Sequence, residues 1–222
     1  MLGLLYDIHG NLPALEAVLA QAGELGVDSW LLGGDYGVPS PWPLETLDRL
    51  EALPNATWIR GNGERWSREL PDLPEVREAY EEHVIGVVPD DVLERLYRLP
   101  AQAEVDGILY VHGSPLSDVE SFASQPEPDE ERLLAGVRDR TVVFGHSHLQ
   151  FRRRGPSGTE LVNPGSAGMP LDGDRRPAWA TRDGDFTFRR TEYDVERAVA
   201  GFRRLGGEFG EVVARRLENG SD

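Results

Sequence analysis

Short apolar runs alternate with helical segments through about the first 150 residues, and this alternation restricts the possible folds more than any other feature. The runs are GLLY, SWLL, ATWIR, GILYV and TVVF. Each has the length and composition of a buried strand. Asn11 is placed to cap the first helix, with Pro13 in its first turn. Strands joined by helices predict βαβ crossovers and a mainly parallel sheet.

The pattern changes after residue 149, where two hairpins and a closing helix are predicted. QFRRR and TELVN flank the turn GPSG, and PAWAT and FTFRR flank RDGD. One amphipathic helix then carries apolar residues on one face from Val195 to Val213. With no internal repeats, the chain is expected to form one α/β domain over residues 1–222, antiparallel in its second half.

Two further segments complete the organisation of the chain. A linker rich in Pro and Glu at 125–131 is followed by a predicted helix before TVVF. The acidic helical stretch at about 64–98 is either ordinary crossover structure or a cap that covers one side of a site.

The charge and the cysteine count exclude several classes of function. The chain has 39 acidic and 23 basic residues, a net charge of -16, which disfavours nucleic-acid polymers and anionic membranes as partners. It has no cysteine, so disulfides and thiolate metal sites are excluded. Neither a secretory leader nor an apolar run of about eighteen residues is found, so a cytoplasmic location is expected.

Polar side chains flanked by glycine follow each of the five apolar runs. Because ligands of open α/β sheets bind beyond the carboxyl ends of the strands, these side chains are expected to meet in one crevice. Carboxylate, imidazole and amide oxygen suit divalent Mn, Fe, Co, Ni and Zn. The candidate metal ligands are Asp7, His9, Asp35, Asn62, His112, His146 and His148.

The spacing and the number of these seven residues favour a metal site over separate structural roles. Taken singly, each of these residues has an ordinary explanation as a helix cap, a turn residue or a core histidine. Four of the five histidines nevertheless fall at these strand ends, and only His83 lies elsewhere. Seven ligands exceed what one ion needs if water also binds. Two ions about 3.5–4 Å apart, sharing a carboxylate, would use them all.

The ordered motifs D-x-H-G-N, G-D, G-N-x-E, H-G and G-H-x-H resemble the calcineurin-like metallophosphoesterase family. With N-P-G-S at 163–166, the resemblance is to the compact bacterial branch and runs from about residue 1 to 185. It implies a four-layer αββα sandwich with two mixed sheets. It also implies a partition of the ligands between two ions that share Asp35. One ion would be held by Asp7, His9, Asp35 and His148, the other by Asp35, Asn62, His112 and His146.

The resemblance further implies a hydrolase of small phosphodiesters or phosphomonoesters, including nucleotide-derived ones. Attack would be in line, by a hydroxide that bridges two divalent ions (Mn, Fe, Ni or Zn), with Asp35, Asn62 and His112 assigned to catalysis as well as to metal binding. A diester is favoured because it brings less negative charge into an acidic protein. The alternative is a catalytically weak metal-binding scaffold or regulatory protein of the same fold.

Two departures from the wider family bear on mechanism. Many relatives have a histidine, placed to protonate the leaving oxygen, where this chain has Gly63. Glu64 is either its replacement or a structural cap. G-D-Y-G at 34–37 and R-G-N-G-E at 60–64 also resemble Ser/Thr protein phosphatases, but the arginine those enzymes have shortly after G-D-Y is missing, which disfavours that activity.

Several other side chains have one functional and one structural interpretation. Arg60 and the arginines at 152–154 either contact substrate phosphate or form surface ion pairs. The three tryptophans near the motifs either stack on a nucleobase or pack in the core, the usual role of an aromatic residue. They are Trp42, Trp58 and Trp66.

Overall fold

A computed structural model describes all 222 residues and places the strands in two five-stranded mixed sheets. The strands are β1 (Leu2–Leu5), β2 (Ser29–Leu32), β3 (Ala56–Trp58), β4 (Gln102–Val105), β5 (Ile108–Val111), β6 (Thr141–Val143), β7 (Gln150–Arg154), β8 (Glu160–Pro164), β9 (Ala178–Asp183) and β10 (Asp185–Arg190). The helices are α1 (Leu12–Leu25), α2 (Pro43–Glu51), α3 (Asn62–Trp66), α4 (Pro74–His83), α5 (Asp90–Tyr97), α6 (Val195–Leu205) and α7 (Gly207–Asn219), with a 3₁₀ helix at Glu130–Leu134.

The first sheet has the order β10-β9-β1-β2-β3, and the second has the order β4-β5-β6-β8-β7. Each sheet contains three neighbouring parallel strands. They are β1, β2 and β3 in the first sheet and β5, β6 and β8 in the second. The antiparallel strands β9 and β10 extend the first sheet, and β4 and β7 form the two edges of the second. The parallel strands therefore aim their carboxyl ends in a common direction within each sheet.

A shared apolar layer joins the two sheets. It contains Leu4 and Leu31 of the first sheet together with Tyr110 and Val162 of the second, all fully buried. Because successive side chains of a strand alternate between faces, Leu5 points the other way and packs in a separate core with α1 and α2. The sandwich of two mixed sheets flanked by helices confirms the predicted fold class.

The first helix begins as the sequence predicts. The Asn11 side chain accepts a hydrogen bond from the backbone N–H of Ala14, and proline occupies the first turn. Gly26 ends the helix in the left-handed conformation at φ 75°. Both helix boundaries were therefore encoded locally.

Two predictions about the fold were wrong in part. The closing helix is two helices, because Gly206 and Gly207 have φ values of 81° and 66°, which interrupt a right-handed helix. The helix expected before TVVF is only the 3₁₀ helix at Glu130–Leu134. The two antiparallel hairpins predicted after residue 149 are present, and β7–β8 adds to the second sheet while β9–β10 adds to the first.

The segment at 64–98 forms the end of α3 together with α4 and α5. Leu96 of α5 packs in the core beneath the first sheet, whereas Tyr80 and Val84 at the end of α4 pack with Val38 in a smaller cluster. Part of the stretch is therefore ordinary crossover structure. None of the helices combines the length and the hydropathy needed to span a bilayer.

Candidate metal centre

The structure brings together all seven side chains that the sequence analysis singled out. Each lies just beyond the carboxyl end of a parallel strand of one or the other sheet. Asp7 and His9 follow β1, Asp35 follows β2, Asn62 begins α3 after β3, His112 follows β5, and His146 and His148 follow β6.

The backbone at these positions is unusual. Asp7, His9, Asp35, His146 and His148 all have left-handed conformations, with φ between 49° and 65°. Non-glycine residues rarely adopt this region, and such strain persists where the surrounding structure fixes it, which is common at functional sites. The tight turns direct carboxylates and imidazoles from separate loops into one volume.

The first cluster of donor atoms is formed by Asp7, His9 and His148. The Nε2 atoms of His9 and His148 are 3.0 Å apart, and they lie 4.0 Å and 3.6 Å from Asp7 Oδ1. The other carboxylate oxygen, Asp7 Oδ2, accepts the backbone N–H of His146 at 2.8 Å. Asp7 Oδ1 is fully buried and has no hydrogen-bond partner. An anionic oxygen without a donor, next to two imidazole nitrogens, is the chemistry of a cation site.

The second cluster is formed by Asp35, Asn62, His112 and His146. His112 Nε2 lies 3.5 Å from Asp35 Oδ1, and the same end of the Asn62 amide lies 3.0 Å from His112 Nε2 and 2.9 Å from His146 Nδ1. Asp35 Oδ2 is directed instead to His9 Nε2, at 3.9 Å. The two oxygens of Asp35 thus approach both clusters, as a bridging carboxylate requires, while Asp7 Oδ1 also lies 3.8 Å from His112 Nε2.

Hydrogen bonds to backbone carbonyls orient two of the imidazoles. His148 Nδ1 lies 2.7 Å from the carbonyl oxygen of Met169, and His112 Nδ1 lies 2.8 Å from that of Gly33. Since a carbonyl only accepts, Nδ1 is the donor in both rings, and Nε2 is directed at the clusters. Outer partners of this kind fix the tautomer of metal-binding histidines.

The electrostatic environment separates the histidines into two groups. Burial, reinforced by the neighbouring imidazoles, lowers the pKa of His9 to about 3 and that of His146 to about 4, so both rings are neutral at pH 7. Burial also opposes the charge on His112, but the carboxylates of Asp35 and Asp7 outweigh it and raise its pKa to about 9. The metal-free protein therefore keeps a proton on His112 where a cation would bind.

The two carboxyl groups respond to burial differently. Burial and the nearby carboxylate of Glu64 raise the pKa of Asp35, although His112 opposes the shift. Burial would also raise the pKa of Asp7, but the imidazoles of His148 and His112 outweigh it and hold the pKa below its ordinary value. The imidazoles therefore favour the ionised form of Asp7, whereas burial favours the protonated form of Asp35.

The N-P-G-S segment holds the two histidine-bearing loops in place, a role that motif resemblance did not indicate. Asn163 Nδ2 donates to the carbonyl oxygen of Gly145 at 3.1 Å and to Ser147 Oγ at 2.9 Å. Ser166 Oγ donates to the carbonyl oxygen of Asp7 at 2.6 Å. Both side chains are fully buried. Asn163 therefore fixes the G-H-S-H turn, and Ser166 fixes the D-I-H turn against it.

Glu64 has a structural role. Its fully buried carboxylate accepts backbone N–H groups from Asp35 at 2.9 Å, Tyr36 at 2.8 Å and Gly61 at 2.8 Å. It thereby ties the G-D loop to the G-N loop, and does not replace the missing acid. At Gly63 a Cβ atom would lie 2.9 Å from Asp35 Oδ1, which leaves little room for a side chain.

The arginines named from the sequence are engaged elsewhere. Arg60 donates to the carbonyl oxygen of Tyr97 and lies over its ring. Arg152 pairs with acidic side chains of β8 and β10, and Arg153 pairs with Glu130. None of the arginines at 60 or 152–154 lines the cavity beside the clusters. The ion-pair interpretation is therefore correct for Arg152 and Arg153, whereas Arg60 is held by the carbonyl oxygen and the ring of Tyr97 instead.

A cavity of about 270 Å³ opens onto both clusters. Of the three tryptophans, Trp66 lines it, whereas Trp58 packs edge-on against Tyr36 and Trp42 packs against α6 at Gly201. His83 is outside the site, with Nε2 3.6 Å from Glu82. The site residues that line the cavity are His9, Asp35, Asn62, His146 and His148.

Comparison with known proteins agrees with the geometry. The family model of the calcineurin-like phosphoesterase superfamily domain matches residues 1–183. The crystal structure of a metallophosphoesterase from Sphaerobacter thermophilus is similar over 99% of this chain and 99% of that chain, with a TM-score of 0.82 and 26% identity. The phosphoesterase Yfce from E. coli is similar over 83% of this chain and 88% of its own, with a TM-score of 0.52.

At 22% identity the likeness to Yfce supports the fold alone. No match was found among curated proteins. The family model nevertheless covers every residue of the two clusters, and the resemblance inferred from the motifs is confirmed. The chain therefore belongs to the calcineurin-like phosphoesterase superfamily, a family of hydrolases.

Proposed function

We propose that this protein is a dinuclear metal-dependent hydrolase of small phosphate esters. The observation that carries the proposal is the convergence of seven ligand-type side chains, five of which line one cavity. They include Asp7, whose Oδ1 is buried and unpartnered. The donor set of three carboxylate or amide oxygens and four imidazoles fits borderline divalent cations. Such a set has no evident structural purpose, because a buried charge without a partner destabilises the fold.

The residues would divide as the motifs suggest, with Asp7, His9 and His148 on one ion, Asn62, His112 and His146 on the other, and Asp35 between them. Two divalent cations would supply Lewis acidity there, neutralising phosphoryl oxygens and lowering the pKa of water toward roughly 7. Because Asp35 Oδ1 and Oδ2 approach different imidazoles, one carboxylate can fix the spacing of the pair.

The leaving group receives no proton from a side chain at residue 63, since that residue is glycine, and Glu64 is occupied by three backbone N–H groups. Esters with good leaving groups, such as aryl esters, are therefore expected to react faster than alkyl esters. Water is expected to attack directly and in line, without a covalent enzyme intermediate. Inversion at a chiral phosphorus in labelled water would support this, and retention would exclude it.

A panel of aryl phosphodiesters and aryl phosphomonoesters, assayed with Mn(II), tests the proposal. We expect turnover that Asp35→Asn or His112→Ala reduces by a factor of about 10²–10³, the usual effect of losing a group that stabilises charge in the transition state. The diester is expected to be the better substrate, because it brings less charge to a protein of net charge -16.

His83→Ala is the matched control, since His83 is the one histidine outside the clusters. It should leave turnover unchanged. Tight Mn(II) binding without turnover of any aryl ester would instead identify a metal-binding scaffold. Gly63 is compatible with this alternative, because it supplies no acid to the leaving group. Absence of stoichiometric Mn(II) binding to the wild-type protein would overturn both interpretations.

A further inference from the structure

Apart from the metal ligands, the lining of the cavity is mainly apolar, although the protein as a whole is strongly acidic. Nine of the 17 residues that line the whole cavity are hydrophobic. One side of the wall comes from the segment at 64–98, with Trp66 at the end of α3 and Val76 and Tyr80 on α4. The other side comes from α7, with Phe209 and Val213. This composition is unexpected beside a site for phosphate.

The α7 side of the wall lies outside the part of the chain that the family model matches, residues 1–183. An apolar core shared with α6 holds α7 beside the cavity, and in this core Val213 packs with Phe202 of α6 and Met169. Phe209 is only half-buried and lines the cavity, so its ring is available to a ligand. The Gly206-Gly207 break between α6 and α7 allows the chain to turn back, so that this ring lines the cavity.

Two polar groups of the wall, the Tyr80 hydroxyl and the Arg216 guanidinium, already have partners within the protein. The Tyr80 hydroxyl donates to the carbonyl oxygens of Gly63 at 2.8 Å and Val38 at 3.2 Å. Arg216 is the only arginine that lines the cavity, and its guanidinium forms a 2.5 Å ion pair with Asp222. The wall therefore offers few hydrogen bonds to a sugar or a nucleobase and no uncompensated cation to a second phosphate.

The size of the cavity also favours a compact substrate. Pockets for drug-sized ligands are typically about 300–1,000 Å³. A volume of about 270 Å³ accommodates a phosphoryl group and one compact organic group, and it is small for a dinucleotide.

Building on the proposed function, we propose that the wall formed by Trp66, Val76, Phe209 and Val213 binds the organic group of the substrate, and that this group is compact and apolar, an aromatic ring or a short alkyl chain. The substrate class is then an aryl or alkyl phosphate ester, with the phosphoryl group at the clusters and the hydrocarbon against α4 and α7. Phe209 and Val76 are specificity-determining residues in this arrangement.

Binding of stable phosphonates to the Mn(II)-loaded protein, measured by calorimetry, tests the proposal without turnover. Inorganic phosphate and methylphosphonate report on the metal centre alone, and benzylphosphonate adds an apolar ring. We expect benzylphosphonate to bind about tenfold more tightly than methylphosphonate, because a buried ring leaves water. Phe209→Ala and Val76→Ala should each remove most of that preference, while the affinity for methylphosphonate changes less than about twofold.

Val212→Ala is the matched control, because Val212 is half-buried on α7 but does not line the cavity, and it should alter neither affinity. The two test variants lie on different helices, so a local packing defect in one does not decide the result. Equal affinities of the wild-type protein for benzylphosphonate and methylphosphonate would overturn the substrate class and leave the proposed function intact. Tighter binding of adenosine 5′-methylenephosphonate than of benzylphosphonate would overturn it in favour of a nucleotide. Failure of phosphate and of every phosphonate to bind the loaded protein would overturn the proposed function as well.

Discussion

Replacing Glu64 tests whether one buried carboxylate holds two loops of the candidate site together. Its Oε2 accepts the N–H groups of Asp35 and Gly61, and its Oε1 accepts that of Tyr36. Glutamine has nearly the same shape but only one oxygen. In its best orientation it keeps the two bonds to Asp35 and Gly61 and turns its NH₂ group toward the Tyr36 N–H.

The magnitude follows from counting these bonds. A hydrogen bond to a charged group contributes roughly 1.5–3 kcal/mol, and a buried donor left without a partner costs a similar amount. Glu64→Gln should therefore reduce the free energy of unfolding by about 3 kcal/mol. Glu64→Ala leaves all three N–H groups without an acceptor and should cost at least about 5 kcal/mol. For a protein of this size, about 3 kcal/mol corresponds to a fall in Tm of roughly 6–12 °C.

The assay is denaturant and thermal unfolding of the metal-free protein, because bound cations would stabilise the native state by mass action and obscure the difference. Glu69→Gln is the matched control, since Glu69 is exposed and pairs with Arg65 and Tyr97 at the surface. It should change Tm very little. Losses below about 1 kcal/mol for both Glu64 variants would refute the reasoning, because the three buried N–H groups would then have found other partners.

Three further predictions concern the metal centre. Asn163→Ala removes the bonds to the G-H-S-H turn and should weaken Mn(II) binding by about 10–100-fold in a titration, while far-UV circular dichroism stays native. Mn(II) binding at pH 7.5 should release protons, because the raised pKa of His112, about 9, means that a cation displaces a proton. Apparent affinity should then rise with pH up to about 9, which calorimetry in buffers of different ionisation enthalpy measures. Gly63→Ala places Cβ 2.9 Å from Asp35 Oδ1 and should weaken Mn(II) binding by about tenfold.

Each of these predictions has a control or an outcome that contradicts it. Asn219→Ala alters an exposed asparagine at the end of α7 and should leave Mn(II) binding unchanged. Gly23→Ala is the control for Gly63, because nothing lies within 4 Å of a Cβ built on Gly23 in α1. Unchanged affinity in Asn163→Ala or Gly63→Ala would show that the loops are fixed by other contacts. Mn(II) binding without proton release would show that His112 carries no proton in the metal-free protein.

The sequence by itself determined the candidate ligands, because the information is local. A polar residue next to a glycine, directly after an apolar run, is visible in a short window, as in Gly34-Asp35 or the turn at 145–148. Parallel strands of one sheet place their carboxyl ends at the same edge, so local positions predict that the side chains of that sheet meet. That the ligands of the two sheets also meet depends on how the sheets pack. The boundaries of α1 were equally predictable, since Asn11 and Gly26 act on adjacent residues.

Only the tertiary structure decided how the strands are divided between the two sheets and which residues surround the ligands. Hairpins at 150–164 and 178–190 have the same pattern, yet they join different sheets, because partner choice depends on which apolar face each buries. The role of Glu64 depends on the Asp35 loop, 29 residues earlier in the chain. The cavity wall joins Val76 to Phe209 across much of the sequence, so no local pattern could indicate it. Contacts between residues distant in the chain are set by packing, whereas propensity and motif act on neighbours.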